Sequence, residues 1–420
     1  MTSTAMALAR WAHDLQPAAG DLALAQRSLV DTVAVTLAAR DHPVTRLTAG
    51  FPDGLRWAVA GHVLDFDDLH MPSTAHISAI CVPTSLATGG GARAYLAAAG
   101  VMARLGTALG WPHYSAGWHA TCTAGAPASA AGAAVALGLS ADQIGAAMAL
   151  AIPGAGGVQR AFGTDAKALQ VGFAVDAGIR AATLAAAGAQ ADPSALDMWL
   201  GLTGGDAAAV DLGGPAIPGG LAVKIYPCCY ALQRPISALA ELAGAGLDPA
   251  DVRLIMLRTP EAAAAPLIHH RPDTGLQGKF SLEYAAAAAL LDGYPGFSSF
   301  TDAAVRRDAA RRLAGLVEIK LDPGGTWLLD GQLEAEIHTS SGEVLRVSQK
   351  FPPGSPARPP SAAQLDAKLA DCVRGLDTDP ALWTWENAAD TLRRILPGSA
   401  DSARSAAARR LTPHAKERHE

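Results

Sequence analysis

Apolar residues recur at spacings of three and four through LALAQRSLVDTVAVTLAA, so residues 5–40 read as helices. Residues 41–57, broken by Pro43, Gly50, Pro52 and Gly54, read as a loop. Helical patterning returns over 83–109, 127–152 and 166–188. Ser140 followed by Gln143 gives the spacing of a capping box ahead of an apolar run. Beyond about residue 225 the period changes. RLIMLRTP (253–260), LVEIKLD (316–322), QLEAEIHT (332–339) and EVLRVSQKF (343–351) are strand-like, with TSSGEV as a hairpin turn between the last two. LEYAAAAALLDG, between the first and second of these, is helical. The pattern predicts a mostly α protein: a large helical domain over 1–225, completed by helices in 361–400, and a smaller α+β domain over 226–355. FPPGSPARPP (351–360) reads as a linker, and 401–420 as a disordered tail.

Composition supports helices over a β-sandwich, since half of the 420 residues are apolar but only 5% are aromatic. The net charge of -6, with both signs scattered, argues against a nucleic-acid or membrane-surface protein. No apolar run reaches the roughly 18 residues of a membrane span, and the first residues lack the pattern of a signal peptide. Five cysteines without a CxxC suggest a reduced, cytoplasmic setting and make a cysteine-bound zinc improbable.

Polar chemistry concentrates in a few stretches. GHVLDFDDLHMPSTAH (61–76) packs Asp65, Asp67 and Asp68 with His62, His70 and His76 into sixteen positions. Carboxylates with imidazoles suit a divalent cation, but DFDD lacks the DDxxD spacing of diphosphate-binding enzymes. A plainer reading has Asp67, Asp68 and His70 capping helices and turns around Pro72. His119 stands in a run of small residues, PHYSAGWHATCTAGAP. Lys167 and Lys224 interrupt apolar runs, where a lysine ordinarily reaches outward but where two together suit a small polycarboxylate. Tyr284 opens the helical GKFSLEYAAAAALLDG.

Taken in order, HVLDFDDLH with His76, GWHATCTAG, GTDAKALQVG, KIYPCC and KFSLEY resemble the MmgE/PrpD family. That family holds 2-methylcitrate dehydratase, cis-aconitate decarboxylase and iminodisuccinate epimerase, and the resemblance extends over residues 29–375. It implies a helical domain with a smaller α+β lid, a homodimer, and no metal or organic cofactor. It places the active site on Asp65, His76, His119, Lys167, Lys224 and Tyr284. Gln170 and Gln233, which stand where the family commonly has histidine, join Lys167 and Lys224 as substrate-binding residues. Leu69 replaces a usual Thr or Ser, and His76-Ile77-Ser78 replaces HPS. These departures bear on substrate choice more than on fold. PHYSAGWH, FGTDAK and DTGLQGKFSLEY resemble the epimerase side most.

The implied chemistry makes or protonates a carbanion next to a carboxylate. In that scheme Lys167 and Lys224 grip carboxylates and stabilise the enediolate-like charge, while His76 and His119 move protons. Asp65 orients a histidine, and Tyr284 donates from the lid. The expectation is a lyase, dehydratase or decarboxylase, on a small di- or tricarboxylate. An epimerase is the alternative, and a non-catalytic binder on the same fold the second.

Overall fold

Small side chains explain how the helices pack. The computed structural model describes residues 2–325, 327 and 330–398. Helix Ala120–Ala136 carries only Ala, Gly, Ser, Thr, Cys, Pro and Val, and nearly all of it is buried. It lies between Gly91–Ser115 and Asp165–Ala186. A Cβ on Gly132 would sit 2.6 Å from that of Ala98, and one on Gly178 would sit 2.4 Å from that of Ser129. Larger residues would force these helices apart. Thr4–Asp14, Ala19–Ala38, Asp53–Val63, Ile77–Thr88 and Ala141–Ala151 complete the bundle, and the Ser140–Gln143 capping box forms as expected. Ala362–Cys372 and Ala388–Ile395 return to it from the C-terminal side, burying Cys372 and Leu392 in the same apolar core.

A second core belongs to the α+β unit. Strands β1 (Val252–Pro260), β2 (Val317–Asp322), β3 (Leu333–Thr339) and β4 (Val344–Gln349) form one sheet in the order β2-β1-β3-β4. β1 and β2 are parallel, joined by a crossover that includes Leu282–Asp292, and the other pairs are antiparallel. Ile255, Leu257, Ala335 and Ile337 point to Leu232, Ile236 and Leu239 of helix Tyr230–Gly244 and to the buried alanines 285–289. The whole is mostly α with one small sheet.

Two expectations need correction. Residues 41–57 are not one loop: Pro43–Leu47 and Asp53–Val63 are helical. Pro43 sits in the first helical turn and Pro52 at an N-cap, where a missing N–H costs nothing. Nor is 351–360 a free linker. Residues 352–355 are buried, and the amide of Val223 donates to the Gly354 carbonyl at 2.9 Å. The 401–420 stretch lies outside the described residues. Among the described residues, no helix is long and apolar enough to cross a membrane, and all five cysteines are free and buried.

Candidate active site

Four helices begin at one small cavity. His76 is the N-cap of Ile77–Thr88, His119 that of Ala120–Ala136 and Cys229 that of Tyr230–Gly244, while Lys167 lies in the first turn of Asp165–Ala186. All four line the cavity with Asp65, Leu69, Thr74, Tyr114, Phe162, Tyr230 and Phe280. Helix N-termini carry unsatisfied N–H groups and partial positive charge, so their convergence favours an anion. The cavity holds about 20 Å³, room for a single water. Phe280 from the α+β unit closes it against Phe162, their ring centroids 5.6 Å apart. A much larger cavity of about 1130 Å³ lies elsewhere, between Trp11, Leu24, Ile217 and Leu369, and none of these imidazoles or lysines lines it.

Beneath the cavity runs a buried ionic network. Lys167 Nζ donates to Asp65 Oδ1 at 2.7 Å and to His62 Nε2 at 3.0 Å. Lys224 Nζ donates to the same Oδ1 at 3.0 Å and to the Asp65 carbonyl at 2.8 Å. Burial opposes charge on Asp65, but the two ammonium groups outweigh it and hold the carboxyl far below its usual range. Asp65 has φ 55°, a left-handed conformation uncommon for a side-chain-bearing residue. Burial also opposes charge on Lys224, yet Asp65 and Asp67 raise it above the ordinary lysine value.

Asp67 organises the imidazoles. Its Oδ2 accepts from His62 Nδ1 at 2.7 Å and from His76 Nδ1 at 3.0 Å. Burial pushes His76 down to about 3, helped by Lys224, against the pull of Asp67. Burial lowers His62 and His119 as well. The arrangement is therefore a carboxylate holding two neutral imidazoles, with Nδ1–H on Asp67 and His76 Nε2 left for the cavity. His119 Nδ1 contacts Gln170 Oε1 and Cys122 Sγ, each at 3.2 Å, while its buried Nε2 has no hydrogen-bond partner among the described residues.

The structure brings together Asp65, His76, His119, Lys167 and Lys224 and sorts their roles differently from expectation. Asp65 holds lysines, and it is Asp67 that orients histidines. Lys224 is fully buried behind Asp65 and does not line the cavity, so Lys167 is the lysine that faces it. Gln170 reaches the cavity only through His119. Gln233 does not line the cavity: its Oε1 accepts from the Ile225 and Tyr226 amides at 3.0 Å, and its Nε2 donates to the Tyr226 carbonyl at 2.8 Å. Tyr284 is not at the cavity either. It is buried in the second core, with its hydroxyl donating to the Ser299 carbonyl. The plainer reading of the acidic stretch holds for two residues. Asp68 binds the Ser78 amide at 3.1 Å at a helix start, and His70 bridges Ser73 Oγ and the Pro218 carbonyl.

Sequence reasoning missed His62, Asp67 and Lys279 as site residues. His62 and Asp67 lie inside the acidic stretch, five apart across a helix end, and that proximity was the available signal. Lys279 opens the KFSLEY segment, but its partner is the backbone carbonyl of Leu64, far along the chain, so nothing in that segment marked the contact. His62, Asp67 and His76 also offer three ligand atoms within 4.8 Å of one another, a donor set able to hold a metal ion. As arranged, both Nδ1 atoms are directed at a single Asp67 oxygen.

A two-unit, helix-rich fold with a closed, cationic, histidine-lined cavity defines the class of protein. Sequence models of the MmgE/PrpD N-terminal domain match residues 53–205, and those of the C-terminal domain match 226–382. The chain belongs to the MmgE/PrpD family. It is 27% identical over 322 residues to a cis-aconitate decarboxylase of Aspergillus terreus, covering 66% of each chain. It is 29% identical over 224 residues to the human cis-aconitate decarboxylase, covering 49% of this chain and 45% of the relative. The chain thus spans 66% or less of the length of these relatives.

Proposed function

We propose that this protein is a lyase of the MmgE/PrpD type that acts on a small di- or tricarboxylate without a cofactor, with decarboxylation of a cis-aconitate-like substrate as the leading case. The observation that carries this reading is the convergence of four helix N-termini, Lys167 and two neutral imidazoles on one cavity. Three buried lysines, 167, 224 and 279, stand against Asp65 and Asp67, so the surroundings are net positive. Relatives named cis-aconitate decarboxylases support the decarboxylase choice.

In this reading Lys167 binds a substrate carboxylate and steadies the charge that develops as carbon dioxide leaves. A carbanion is then protonated by His76 or His119. Both imidazoles are neutral in the empty site, and the incoming carboxylates raise their pKa values, so each charges only when substrate is present. Asp67 fixes the His76 tautomer and stabilises the imidazolium. The closed cavity is too small for any such substrate, so the two units separate for entry and release.

The test is a proton NMR screen of small di- and tricarboxylates in heavy water. Decarboxylation, elimination and epimerisation each leave a distinct record of deuterium. His76→Gln should lower turnover by on the order of 10²–10⁴-fold with little effect on affinity. If no carboxylate is turned over or exchanged, the lyase reading falls and a non-catalytic binder replaces it.

A further inference from the structure

Lys279 is buried, takes no part in the reaction as described above, and bridges the two units. It belongs to the α+β unit, yet its Nζ donates to the carbonyl of Leu64, which ends helix Asp53–Val63 in the helical unit. Its own carbonyl accepts from the amide of Cys229 at 3.1 Å, and the next residue, Phe280, closes the cavity. The ammonium also lies 5.7 Å from the Phe300 ring centroid. Leu64 O and Asp65 O are the two carbonyls flanking the left-handed Asp65. Lys279 holds the first and Lys224 the second.

A side-chain-bearing residue in the left-handed region persists only where its surroundings over-determine it. Here two ammonium groups pin the peptides on either side of Asp65, and the Asp65 carboxylate in turn holds Lys167 at the cavity. We propose that Lys279 is a positioning residue that couples closure of the α+β unit to assembly of the site: only the closed arrangement locks Asp65, and through it Lys167, in place. The coupling to turnover rests on the lyase reading, whereas the clamp itself does not.

Burial, together with Lys224 and Lys167 and against the pull of Asp65 and Cys228, lowers Lys279 to about 8, in keeping with an ammonium crowded by other cations. Its contact to Leu64 must break each time the cavity opens. That separates it from Lys224, which enters the same network from residues just before the α+β unit and stays behind Asp65.

The clamp is tested without substrate by hydrogen–deuterium exchange on the full chain. In Lys279→Met, amides of 64–70 should exchange on the order of tenfold faster, while those of Ala120–Ala136 keep their protection. Unchanged protection at 64–70 in a folded variant overturns the proposal. If the variant does not fold, the wild-type protein decides the question under sub-denaturing urea. The Asp65 and Leu69 amides should then open in the same cooperative unit as helix Leu282–Asp292. Opening with helix Asp53–Val63 instead overturns the clamp. On a substrate found by the NMR screen, Lys279→Met should lower kcat more than it raises KM, and Lys279→Arg should restore part of the loss. A wild-type protein without turnover refutes the lyase reading and leaves the exchange result standing by itself.

Discussion

Lys224→Met and Lys167→Met should separate stability from chemistry, although both lysines share Asp65 Oδ1. Lys224 is wholly buried, and removing it takes two donors from Asp65 at 2.8 and 3.0 Å. It leaves behind a carboxylate inside the protein. Breaking a buried pair by removing one partner costs about 3–5 kcal/mol. Because Lys167 remains on Oδ1 at 2.7 Å, the lower end, about 3 kcal/mol, is the expected loss. Lys167→Met leaves Asp65 with both Lys224 contacts, so its stability cost should be nearer 1–2 kcal/mol. Its effect falls on catalysis instead. Losing one preorganised donor to developing negative charge costs about 10²–10³ in turnover.

Urea unfolding by circular dichroism gives the first quantity, with the slope checked for constancy. NMR turnover in heavy water gives the second. Adding Asp65→Asn to Lys224→Met removes the stranded charge, so the double variant should lose less than the two single losses summed, by on the order of 1–3 kcal/mol. Two results refute the reasoning. One is a Lys224→Met protein within about 1 kcal/mol of wild type, which would mean that Asp65 is not held as described. The other is normal turnover by Lys167→Met, which would mean that the cavity has been assigned the wrong chemistry.

Exhaustive chelation should leave activity intact; loss with EDTA, restored by one divalent ion, would turn His62, Asp67 and His76 into a metal site. Asp68 is raised to about 7 by burial, against the hydrogen bonds from Ser78. An acid raised on folding contributes stability that is full below about pH 4 and lost as pH rises through 7. Asp68→Asn should therefore gain on wild type by on the order of a few kcal/mol between pH 5 and 8 in urea midpoints, and an equal difference at both pH values would rule this out. The helical unit exposes Leu47, Met198 and Leu202 at 68%, 71% and 80%, and a homodimer through that unit is expected. Sedimentation as a monomer at micromolar concentration would count against it.

Most of the fold was legible because its signals are local. Alanine-rich runs with three-four periodicity gave the bundle, strand-like segments, the last three of them alternating, gave the four strands, and Ser140 with Gln143 marked a helix start. Proline was misread where its position within the helix mattered more than its presence. Pro43 and Pro52 start helices, and the Pro-rich stretch near 354 packs because Gly354 brings its backbone against Val223. A Cβ there would meet the Val223 carbonyl oxygen at 1.9 Å. A glycine that must be a glycine looks the same in sequence as one in a loose linker.

The candidate site was legible as a set of residues that the fold brings together and much less as a set of contacts. Asp65 and Asp67 are two positions apart and chemically identical, yet one holds lysines and the other histidines. That division is made by the left-handed turn at Asp65, which sends its carboxylate toward helix Asp165–Ala186 while Asp67 faces His62 and His76. Gln233 stands where the family commonly has a histidine, but its amide oxygen accepts from two backbone N–H groups at once and its nitrogen donates to a carbonyl. A neutral imidazole has one donor and one acceptor nitrogen and cannot make that set of contacts. The replacement therefore changes what braces the 225–228 turn, and that turn carries Lys224 on one side and Cys229 on the other. Substrate preference in this chain is accordingly to be sought in the residues that touch the cavity, Leu69, Thr74, Tyr114 and Tyr230, rather than in Gln233. Leu69→Thr, which restores the polar group usual in the family, is the substitution that should move preference among carboxylates, and identical relative rates for a dicarboxylate and a tricarboxylate in the NMR screen would show that it does not.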